Sequence, residues 1–178
     1  MWGNPGLWAG WCRPDAERAW RVFLPLVAPG GTPQPWPVAA SDLEAQLWWP
    51  DLAESPGIGG PALDLEPASG MVDANALAAL LAALDAVAGQ DAVWRHLQDE
   101  PGPPYSDVRG KLTDLARAWT TGFAGRAWCL TEAASVAAPA YADSLVVAGP
   151  ARLGPELTQR GLQVAPVAPS AGHHLFVT

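Results

Sequence analysis

Ser144-Leu-Val-Val-Ala148, Gly149-Pro150, Ala151–Arg160 and Leu162-Gln-Val-Ala-Pro-Val167 read in turn as strand, turn, helix and strand. Arg126–Thr131 precedes them as a further strand, so the organising stretch is 126–167. The run Ser144–Ala148 is short and apolar, with two adjacent valines, which fits a strand buried on both faces. Pro150 cannot donate a backbone hydrogen bond but suits the first turn of a helix. The helix after it is polar at Arg152, Glu156, Gln159 and Arg160 and apolar at Leu153 and Leu157. Gly161 is placed for a left-handed residue just past its end. Pro166 puts the last strand at a sheet edge or at its own end. Two strands joined by a short helical crossover are normally parallel, and ligands in such units favour the carboxyl ends of the strands.

That end is Ala148-Gly149-Pro150, and the candidate ligand turn there runs through Gly149, Ala151 and Arg152. Free backbone N–H groups and a helix start there would suit a small anionic, phosphate-bearing ligand, with Arg152 supplying charge. Glu132, just past Arg126–Thr131, and Asp143, just before Ser144, fall where they could converge with Gly149. The glycine spacing of Gly149–Gly154 matches a phosphate loop. However, Pro155 and Glu156 stand where such a loop needs Lys and then Ser or Thr. The unit is similar to the parallel units of many nucleotide-binding folds, over too few residues to identify a family.

Farther out, Asp73 reads as the cap of a helix over Ala74–Ala88, with Leu77, Leu80, Leu81, Leu84 and Val87 on its core face and Gly89 as its stop. Helical spacing also predicts helices after Asp15, with Ala16, Ala19, Trp20, Phe23 and Leu24 on one face, over Asp91–Gln98, and over Asp107–Thr121. Ser41-Asp-Leu-Glu44 is a capping box for a short helix through Trp49. Short strands are expected at Leu7–Cys12, Pro61–Pro67 and His174–Thr178, and residues 133–143 as an alanine-rich link. The segment Asp64-Leu-Glu66 resembles the strand-end carboxylates of some barrel glycosidases, which would make Asp64 and Glu66 the acid–base pair of a carbohydrate-active protein. The chain is too short for that barrel.

Composition bounds the rest. The 178 residues are enough for one domain with a real core. Proline is high, at 19 residues, but 10 tryptophans argue for a folded chain with stiff loops. The net charge of −8 is uneven: residues 1–100 hold 4 basic and 13 acidic side chains, and 101–178 hold 6 and 5. An acidic chain without a basic stripe argues against nucleic acid as partner, and leaves an electropositive protein surface open. No apolar run is long enough to span a membrane, and the N-terminus lacks the pattern of a secretory signal. Cys12 and Cys129 are far apart in no metal spacing and read as small buried hydrophobes, so the expected compartment is the cytoplasm. The sequence carries no Gly-x-Ser-x-Gly, no His-Glu-x-x-His and no paired Cys-x-x-Cys, and neither metal nor cofactor is implied.

These readings combine into an α/β expectation. Residues 1–178 form a single domain with a small, mostly parallel sheet in the C-terminal half, helices 74–98 and 107–121 packed on it, and a Trp- and Pro-rich N-terminal cap. A subdivision into an acidic part (1–100) and an α/β part (105–178) is allowed by Pro101-Gly-Pro-Pro104. The leading functional expectation is a non-catalytic binding or protein-interaction domain. The anionic-ligand and carbohydrate readings stand behind it.

Overall fold

The computed structural model describes residues 12–23, 25–27, 66–67, 74–97, 108–114, 126–138 and 144–168. Nine strands and two helices are seen among them: β1 (Arg18–Phe23), β2 (Leu26–Val27), β3 (Glu66–Pro67), α1 (Ala74–Ala88), β4 (Asp91–Leu97), β5 (Val108–Lys111), β6 (Arg126–Thr131), β7 (Ser135–Ala138), β8 (Ser144–Gly149), α2 (Leu153–Gln159) and β9 (Val164–Val167). Seven strands form one sheet in the order β5-β4-β6-β7-β8-β1-β9, and β2 pairs with β3 in a separate ribbon. Every neighbouring pair is antiparallel.

This corrects the expectation of a mostly parallel sheet. Strands β8 and β9 do run in the same direction, because each is antiparallel to β1. They are not neighbours, however. β1 lies between them, with Trp20 opposite Val147 on one side and Pro166 on the other. Helix α2 therefore crosses over β1 to join two strands separated by a third. The inserted strand comes from the far N-terminal side of the chain, so no local pattern in 126–167 announces it.

Four further expectations are overturned. The helix expected after Asp15 is absent among the described residues 15–23, which supply β1 (Arg18–Phe23) instead. A central strand with apolar side chains on both faces shows no polar alternation, so its residues also satisfy helical spacing by coincidence. Asp91–Leu97 is β4, and Val108–Lys111 is β5, its antiparallel neighbour. Only a helical turn at 112–114 is described of the helix expected over 107–121. The link expected over 133–143 contains β7, which forms a hairpin with β6. The expected elements at Ser41–Trp49 and His174–Thr178 lie outside the described residues, as does Leu7–Cys12 apart from Cys12.

Alternation along β1 and β8 sorts the core into two layers. Trp20, Val22, Leu145 and Val147 face the helices, where Leu77, Leu80, Leu84, Leu153 and Leu157 pack on them. Ala19, Val146, Ala148 and Val167 face the other way, together with Ala137 and Cys12. Both faces of β8 are thus buried. Arg21 shares this second face at 0% exposure, with its guanidinium carbon 4.5 Å from the centre of the Phe23 ring, a cation–π stack within one strand.

Two glycines are set by close approach and by backbone sign. A Cβ on Gly154 would lie 2.6 Å from two atoms of the Trp20 indole, so the absence of a side chain lets α2 lie flat on the ring. Gly161 has φ +81° and closes α2: Gly161 N–H reaches Thr158 O at 3.0 Å and Leu162 N–H reaches Leu157 O at 3.2 Å. Leu157 and Leu162 are buried in the same cluster, which completes the hydrophobic contact of this C-terminal motif.

Candidate functional site

Three turns meet at one end of the sheet. The first joins β6 to β7. Thr131 N–H donates to Ala134 O at 2.9 Å, while Ala134 N–H donates to the Thr131 hydroxyl at 2.9 Å. The hydroxyl thereby takes the N–H that Thr131 O would otherwise accept. Thr131 O turns instead to Arg13, whose Nη1 donates to it at 3.1 Å and to Glu132 O at 2.7 Å. The second turn is β8 to α2. Gly149 is pressed against the first turn: a Cβ there would lie 3.1 Å from Ala134 Cβ and 3.2 Å from Ala133 O.

The third is the irregular segment 12–17 that leads into β1. It straps the other two together. Arg13 grips the β6–β7 turn, its Nε and Nη2 also donating to the two carboxylate oxygens of Asp15 at 2.6 and 2.7 Å, a bidentate charge-assisted pair. Hydrogen bonding from Arg13 holds the Asp15 carboxyl below its ordinary range. Arg13 N–H donates to the buried Ser135 hydroxyl at 3.3 Å. Four residues on from Arg13, Glu17 Oε2 accepts the Ala151 N–H at 2.9 Å. The C-terminal end of α1 closes the fourth side, because Arg152 Nη2 donates to Val87 O at 2.8 Å. That cation satisfies a carbonyl that the helix end leaves unpaired.

Between these elements lies an open groove with a cavity volume of about 580 Å³. Arg13, Asp15, Glu17 and Glu132 supply its charged walls, and Val87, Ala88, Ala133 and Pro150 its apolar ones. The Arg13 charge is met by Asp15. Among the described residues, neither Glu17 nor Glu132 has a cationic partner. Among the described lining residues, the charge left without an ionic partner is therefore negative.

The residues expected to form a site from the sequence fall as follows. Glu132 lines the groove, as does Pro150, and Gly149 and Ala151 flank Pro150 in the turn. Ala151 N–H and Arg152 are both engaged, with Glu17 and Val87 O respectively. Asp143 and Asp64 lie outside the described residues. Glu66 sits in β3 opposite Val27, in the ribbon apart from the main sheet. The sequence does not point to Arg13 or Glu17, and places Asp15 only at the start of an expected helix. Their partners lie 119 and 134 positions away, so no spacing links them. Among the described residues no three His, Cys, Asp or Glu side chains converge as a metal-ligand set, and no helix is long and apolar enough to cross a membrane.

Compared with known proteins, the chain matches no protein family, no curated protein and no solved structure.

Proposed function

We propose that the chain is a non-catalytic binding or protein-interaction domain, and that the groove between segment 12–17 and the Thr131–Ala134 and Gly149–Arg152 turns receives a basic side chain of a partner protein. The observation that carries this reading is the charge state of the groove. Among the described residues, the cation that lines it, Arg13, is neutralised by Asp15 and tied to two carbonyls, while the Glu17 and Glu132 carboxylates have no cationic partner. The apolar wall of Val87, Ala88, Ala133 and Pro150 suits the methylene stem of a lysine or arginine, whose charged head would meet the carboxylates. The net charge of −8 would speed the approach of such a partner, most at low salt.

The test is fluorescence anisotropy with a labelled lysine-rich peptide, a glutamate-rich peptide of equal length, inorganic phosphate as competitor and a panel of oligosaccharides. The lysine-rich peptide should bind alone, and binding should weaken as salt is raised. Exposed carboxylates contribute about 0.2–1 kcal/mol each. Glu17→Gln with Glu132→Gln should therefore lower the affinity by roughly 2- to 30-fold. Equal binding of the glutamate-rich peptide, or an unchanged affinity in the double variant, would remove the reading.

A further inference from the structure

We draw no further inference here: the strongest candidate outside the groove, the exposed alanine stripe Ala74, Ala78, Ala82 and Ala86 along the outer face of α1, is a surface patch of small residues, and nothing in the structure shows what covers it.

Discussion

Replacing Gly154 by alanine sets two ordinary effects against each other. In a helix, Gly→Ala is normally favourable by about 0.5–1 kcal/mol, because alanine has less backbone freedom to lose. Here the new Cβ would lie 2.6 Å from Trp20 Cε2 and Nε1 and 2.8 Å from Cζ2. Trp20 is 6% exposed and packed in the helix-facing core, so the ring has no free space to swing into. Either α2 lifts off β1 or the indole leaves its position. Overpacking of this kind costs about 1–3 kcal/mol. The clash should win, leaving a net loss of about 1–2 kcal/mol. With a urea dependence of about 2 kcal/mol per molar, the midpoint falls by roughly 0.5–1 M. Urea titration followed by far-ultraviolet circular dichroism reads this directly. The cause is isolated by repeating Gly154→Ala in a Trp20→Leu background, where the loss should vanish or change sign. A Gly154→Ala protein at least as stable as the wild type, or an equal loss in both backgrounds, would refute the packing of α2 on Trp20.

Other substitutions probe the remaining supports. Arg13→Ala removes the donors that hold Thr131 O, Glu132 O and Asp15; it should cost about 1–3 kcal/mol in urea unfolding. Arg13→Lys should recover little of that, because one ammonium cannot serve a bidentate carboxylate and two carbonyls together. Gly161→Ala has open space around its new Cβ but a φ of +81°. It should lower stability by about 1–2 kcal/mol from backbone strain alone, seen as a lower melting temperature. Burial pushes the Cys12 thiol from 9.0 up to about 12. The folded state then keeps a proton that the unfolded chain releases, so this contribution is complete below about pH 9 and is lost as pH rises toward 12. The stability difference between wild type and Cys12→Ala should accordingly hold constant below about pH 9 and narrow as pH rises above it, and peptide mapping should find Cys12 unalkylated by iodoacetamide until the protein is unfolded.

The parts of this fold that a sequence can announce are those whose pattern is local. Leu77, Leu80, Leu81, Leu84 and Val87 repeat at helical spacing and all are buried in α1. Arg126–Thr131 and Ser144–Ala148 stand as β6 and β8, Gly161 takes the left-handed conformation, and β9, with Pro166, is an edge strand of the sheet among the described residues. What stayed hidden is of two kinds. Arg18–Phe23 is buried on both faces, apart from its first residue, so the period-2 signal that marks a half-exposed strand is absent. The second kind is long-range pairing. Nothing near Ser144–Val167 says that β1 will insert between β8 and β9, and that insertion turns an apparent parallel pair into an all-antiparallel sheet. The groove shares this difficulty. Glu132 and the Gly149–Arg152 turn are visible as strand-end features, but segment 12–17, which binds them to each other, joins them only through the tertiary fold.

The insertion of β1 is best tested by nuclear Overhauser contacts between backbone protons in isotope-labelled protein. Residues 19–22 should show antiparallel cross-strand contacts to 145–148 and to 164–167 together, with Trp20 seeing both Val147 and Pro166. Residues 145–148 and 164–167 should show none to each other, because strands two places apart lie about 9–10 Å from one another. Direct contacts between those two strands in a parallel pattern, with residues 19–22 contacting neither, would contradict the fold and the groove built on it.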